Sequence, residues 1–75
     1  MITTHTTDSI FVEPLTAREQ QVAEAITRGL SNKEIACEFG ISPETVKRHL
    51  ASIYSKLALP GRVALAIHVV RSRAA

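Results

Sequence analysis

Tryptophan is missing from this chain, and the aromatics come to one Tyr and two Phe, so a hydrophobic core has to be built from aliphatic side chains. Cysteine occurs once, at Cys37, which excludes an internal disulfide and fits the reducing cytoplasm. With no Cys or His at metal-ligand spacing around it, Cys37 is read as a small, partly buried hydrophobe. Long apolar runs are lacking too. Nothing approaches the ~20 residues needed to span a bilayer, and the opening MITTHTTDSI is polar where a signal peptide would be basic and then apolar. No nucleophile–base pair, metal cluster or phosphate-cradling glycine loop can be found, so the expectation is no enzyme, no metal and no cofactor.

The most informative absence is of acid after Glu44. The whole chain has 9 Lys plus Arg against 7 Asp plus Glu, a net charge of only +2. All seven acids (Asp8, Glu13, Glu19, Glu24, Glu34, Glu38, Glu44) precede Thr45, opposed there only by Arg18, Arg28 and Lys33, so residues 1–44 carry −4. From Thr45 onward Lys47, Arg48, Lys56, Arg62, Arg71 and Arg73 supply +6. A charge run can be no more than a solvated face, but a field so divided favours a polyanion approaching from the C-terminal side.

What is present is a series of helix signals. Seventy-five residues make one small domain, which buries only ~60% of its unfolded surface, so marginal stability or help from a second subunit is expected. Residues 1–14 are Thr-rich and read as a flexible polar arm, with Ile10 to Val12 alone able to lean on the domain. Thr16 and Glu19 form a capping box behind Leu15, opening a helix to about Arg28 with Val22, Ala25 (or Ala23) and Ile26 inward and Gly29 as its stop. Ser31 and Glu34 repeat the box for a short helix that ends at Gly40. Ser42 caps a third helix with Pro43 at its first position, where a missing N–H costs nothing. Leu59-Pro60-Gly61 is expected to stop that helix, and Arg62 to about Ser72 makes a fourth.

The fold expected is therefore all-α, a four-helix bundle-like domain over residues 15–73. Between Ser31 and Leu57 it contains a helix-turn-helix hinged at Gly40. Ile35, Ala36 and Phe39 share one side of the first of these helices. Val46, Leu50, Ile53 and Leu57 share one side of the second, which leaves Lys47, Arg48, Ala51, Ser52 and Ser55 on its outer face. On such a recognition helix Arg48 can meet guanine O6 and N7 bidentately, Lys47 the same acceptors more loosely, and Ala51 a thymine methyl. Backbone N–H groups near Asn32 and Thr45, and the side chains of Lys33, Thr45 and Lys56, are candidate phosphate contacts. For Lys56 an ion pair with Glu19 is as good an alternative, and for Arg62 a structural role at the turn equals a phosphate contact. The last helix has two apolar faces, Val63-Ala66-Ile67-Val70 and Leu65-Val69. One can pack inward while the other asks for a partner, and Leu65 with Val69 is taken as the dimerising face.

LTARE at Leu15–Glu19, GLSNKEIA at Gly29–Ala36, ISPETVKRHLASIYSKL at Ile41–Leu57 and the Arg62…Leu65-Ala66 tail together resemble the LuxR/FixJ-type DNA-binding domain. The resemblance covers about Leu15 to Val70 in four ordered blocks; Phe39 stands where the family usually has Leu. It implies a third helix reading the major groove with the positions of Lys47, Arg48 and Ala51, and His49 at the DNA backbone. It also implies a fourth helix that dimerises on inverted-repeat sites, double-stranded DNA as the partner and RNA polymerase as a further one. Most members carry an upstream sensory or receiver domain, so the chain is either a stand-alone small effector or a piece of a longer regulator. The competing expectations are the promoter-reading module of a sigma factor, which shares LTxRE-like and EIAxxLGIS-like stretches, and a helical protein-interaction module that binds no DNA.

Overall fold

Hydroxyl side chains start three of the four helices. The computed structural model describes residues 15–74 and places in them α1 Ala17–Thr27, α2 Asn32–Phe39, α3 Pro43–Leu57 and α4 Arg62–Ala74. Thr16 Oγ1 accepts from the Glu19 N–H at 3.1 Å while Glu19 Oε1 accepts from the Thr16 N–H at 2.9 Å. Ser31 and Glu34 make the same reciprocal pair, and Ser42 Oγ accepts the Thr45 N–H ahead of Pro43. Each box satisfies donors that a helix start would otherwise leave bare. The polar arm expected over residues 1–14 lies outside the described residues.

The helix ends fall within two residues of expectation, but one of the stop signals differs. Gly40 takes φ +68 and closes α2, with the Ile41 N–H reaching the Ala36 carbonyl at 3.0 Å, as its freedom from a Cβ allows. α3 stops earlier than the Pro60-Gly61 pair: Ala58 itself adopts φ +55, and the Leu59 N–H closes back on the Tyr54 carbonyl at 3.0 Å. Satisfying the last carbonyls at this point outweighs the ~1 kcal/mol or more that a Cβ costs in the left-handed region. Gly61 instead precedes α4, and its carbonyl accepts the Leu65 N–H.

The core is aliphatic throughout: Val22, Ala23, Ala25 and Ile26 of α1, Ile35 and Ala36 of α2, Val46, Leu50 and Ile53 of α3, and Leu65 of α4. α1 packs on both α3 and α4, and α2 packs on α3. Leu15, Phe39, Tyr54 and Leu57 close its edges half-buried. Cys37 is exposed, not partly buried as expected, because the inward positions of α2 are filled by Ile35 and Ala36 and half-filled by Phe39.

The assignment of the two faces of α4 is corrected. Leu65 is 0% exposed in the core, and Val69 is half-buried against it, so neither offers a free dimerising surface. The outward stripe is Val63, Ile67 and Val70, at 74%, 46% and 50% exposure. Arg62 and Arg73 settle the rotation, since both stand on the Leu65-Val69 side. Arg62 donates to Asn32 Oδ1 at 2.8 Å and to the Leu30 carbonyl at 2.7 Å, while Arg73 pairs with Glu24 and reaches Thr27 Oγ1 at 3.2 Å. Apolar spacing alone treats the two faces as equivalent; the acceptors waiting on α1 and before α2 do not.

Candidate nucleic-acid interface

α3 is amphipathic in the sense a recognition helix requires. Its seam of Val46, Leu50 and Ile53 is at most 3% exposed, held by α1 and α2 behind it. Lys47, Arg48, Ala51 and Ser55 are all exposed on the other side, with Glu44 in the first turn. Lys33 is exposed on α2, and Thr45 and His49 are half-buried along one margin of α3. The structure thus brings together Lys47, Arg48 and Ala51 on one exposed helical face, backed by the two helices that the turn at Gly40 joins.

A polar anchor joins this apolar seam in holding α3 to α1. Glu19, 5% exposed, receives Lys56 Nζ on Oε1 at 2.8 Å and Ser52 Oγ on Oε2 at 2.7 Å, besides the Thr16 N–H. Burial alone would push its carboxyl up. Hydrogen bonds from Lys56, the Thr16 backbone and Ser52, together with the Lys56 charge, overcome that and hold it at about 2 against an ordinary 4.5. Every oxygen of this buried carboxylate is used, which is the condition for a buried charge to be tolerated.

Several expected contacts are redirected by these bonds. Of the two roles open to Lys56, the structure adopts the ion pair, so its ammonium is not a free phosphate donor. Ser52 belongs to the same anchor and is half-buried, where its spacing put it on the outer face. The Thr45 N–H is taken by Ser42 Oγ and the two hydroxyls share a 2.9 Å contact, leaving Thr45 only side-chain capacity for a phosphate. Asn32 spends Oδ1 on Arg62, which gives Arg62 its structural role; the start of α2 remains a candidate through its backbone.

The charge segregation read from the sequence becomes sharper in three dimensions. Arg28 pairs bidentately with Glu38 at 3.1 and 2.8 Å, and that guanidinium holds the Glu38 carboxyl below its usual range. Arg73 is paired with Glu24, and Arg18 lies over the Phe39 ring at 5.1 Å. Among the described residues, Lys33, Lys47, Arg48 and Arg71 are exposed cations with no acid partner, as is Arg18 on its aromatic ring. Two of them are the pair on α3. Sequence spacing could not show the Arg73–Glu24 link, because 49 residues separate the partners.

Among the described residues no group of His, Cys, Asp and Glu could hold a metal ion, and no helix is long and apolar enough to cross a membrane. The profile of the "Bacterial regulatory proteins, luxR family" matches residues 13–69. The chain is 50% identical over 54 residues to the transcriptional regulatory protein UhpA of Escherichia coli (strain K12), covering 72% of this chain and 28% of that protein. It is 44% identical over 63 residues to the probable transcriptional regulatory protein SgaR of Hyphomicrobium methylovorum, covering 83% and 30%. A crystal structure of the response regulator ChrA, from a heme-sensing two component system, superposes with a TM-score of 0.75 at 39% identity, over 81% of this chain and 30% of that one. The chain spans less than a third of the length of these relatives.

Proposed function

Because the chain belongs to the luxR family of bacterial regulatory proteins, we propose that residues 15–73 bind double-stranded DNA sequence-specifically to regulate transcription, with α3 lying in the major groove. The observation that carries this is the division of α3: Lys47, Arg48 and Ala51 exposed, Val46, Leu50 and Ile53 buried, and the helix tied to Glu19 through Ser52 and Lys56. Arg48 and Lys47 meet guanine acceptors and Ala51 a thymine methyl. Lys33, Thr45 Oγ1, His49 and the backbone at Asn32 meet phosphates on either side, adding affinity without sequence preference.

Two copies bind an inverted repeat, their α3 helices in successive major grooves about 34 Å apart. The joining surface is the exposed Val63-Ile67-Val70 stripe of α4, in place of Leu65 and Val69. Such a regulator works in the cytoplasm, with RNA polymerase as its downstream partner. The match to the luxR family of bacterial regulatory proteins favours this over the promoter-reading module.

Selection of bound sites from a random duplex pool tests the proposal. A two-fold symmetric site is expected, with G·C pairs where Arg48 reaches. A pool that shows no enrichment would rule out sequence-specific binding.

A further inference from the structure

A carboxylate stands in the middle of the cationic face of α3. At about 100° per residue, Glu44 lies within about 20° of Ala51, 40° of Arg48 and 60° of Lys47 around the helix, and all four are exposed. The other described acids are each engaged within the fold: Glu19 with Lys56, Thr16 and Ser52, Glu24 with Arg73, Glu34 with the Ser31 N–H and Glu38 with Arg28. Glu44 has no such engagement among the described residues. Arg48 stands four residues on, at the spacing where the two would pair along a helix, yet no ion pair joins them.

A free carboxylate on a surface that meets phosphates repels them. Three acids are paired with cations and Glu34 caps a helix start, whereas Glu44 is left bare at the end of the helix whose first turns meet base edges. The major groove offers a carboxylate two donors, the amino groups of cytosine and adenine. Adenine N7, an acceptor beside its amino group, opposes a second acceptor there; cytosine has no such neighbour on its own edge. We propose that Glu44 is a specificity-determining residue that accepts a hydrogen bond from a cytosine N4 amino group. It precedes Arg48 by about 6 Å along the helix axis, so this cytosine lies about one or two base pairs from the guanine that Arg48 meets. The inference rests on the DNA-binding reading above. An acid in the first turn also complements the helix dipole, but that effect acts on stability and not on base choice.

The test uses the 75-residue chain and its Glu44→Ala and Glu44→Lys variants, with melting curves to show that each is folded. Sites are selected from a random duplex pool, and affinities are then measured on the wild-type site and on a random duplex. Glu44→Ala is expected to lose about tenfold of discrimination at one cytosine position in each half-site, while binding the random duplex several-fold more tightly. Glu44→Lys, a donor in place of an acceptor, is expected to exchange that cytosine for guanine. The inference is overturned if both variants select the wild-type site unchanged, or if Glu44→Ala tightens specific and random binding equally. A wild-type chain that enriches no site overturns the parent reading as well, so the two failures are told apart by the wild-type arm.

Discussion

Lys56 Nζ sits 2.8 Å from Glu19 Oε1, joining the last turn of α3 to the first turn of α1 across 37 residues of sequence. The pair is largely out of solvent, with side-chain exposures of 20% and 6%, and Ser52 completes it. A buried carboxylate thus adds to the apolar seam in setting which face α3 turns outward. Glu19→Gln is expected to lower stability at neutral pH by roughly 1–3 kcal/mol, because Lys56 loses its counter-charge in a half-buried site. Since the folded-state pKa of Glu19 is depressed from 4.5 to about 2, its contribution is complete above pH 4.5 and is lost as pH falls from there through about 2. Urea midpoints of wild type and Glu19→Gln should accordingly converge between those pH values. A constant gap would show that the charge of Glu19 is not what the variant removes.

Gly40 and Ala58 occupy the same left-handed conformation at the ends of consecutive helices, φ +68 and +55, with opposite residue choices. A Cβ at Gly40 would meet nothing within 4 Å, so its cost is conformational alone. Gly40→Ala is expected to destabilise by about 1 kcal/mol and Ala58→Gly to stabilise by up to about the same amount. Chemical denaturation of the two variants checks the sign at each site.

The two faces of α4 should respond differently to substitution. Leu65→Ala removes a fully buried side chain and is expected to cost roughly 2–5 kcal/mol of stability. Ile67→Glu, on the exposed stripe, should leave the melting temperature of the monomer nearly unchanged while abolishing self-association and weakening binding to a symmetric site. Sedimentation and thermal melts of both variants separate the two roles. Intact dimers of Ile67→Glu would exclude the stripe as the joining surface.

The helix starts were legible because their signals are local: Thr16 with Glu19, Ser31 with Glu34 and Ser42 with Pro43 each act within a few residues. The inward seam of α3 was legible for the same reason, since Val46, Leu50 and Ile53 repeat at helical spacing. What depends on distant partners was less accessible. The turn of α4 is set by Arg62 finding Asn32 and Leu30 and by Arg73 finding Glu24, contacts between segments 30 and 49 residues apart. Ser52 looked solvent-facing by spacing because its acceptor belongs to another helix. The left-handed Ala58 was hidden by the stronger Pro60-Gly61 signal two residues later.

If the outer face of α3 reads bases while Lys33 and its neighbours hold phosphates, the two groups differ in how they respond to sequence and salt. Wild type, Arg48→Ala and Lys33→Ala are titrated against a selected site and a random duplex over a range of salt. Arg48→Ala should lose about 1–3 kcal/mol on the selected site, with a smaller loss on the random duplex. Lys33→Ala should weaken both about equally and flatten the salt dependence. Equal losses on both duplexes for Arg48→Ala would show that the outer face of α3 does not read bases.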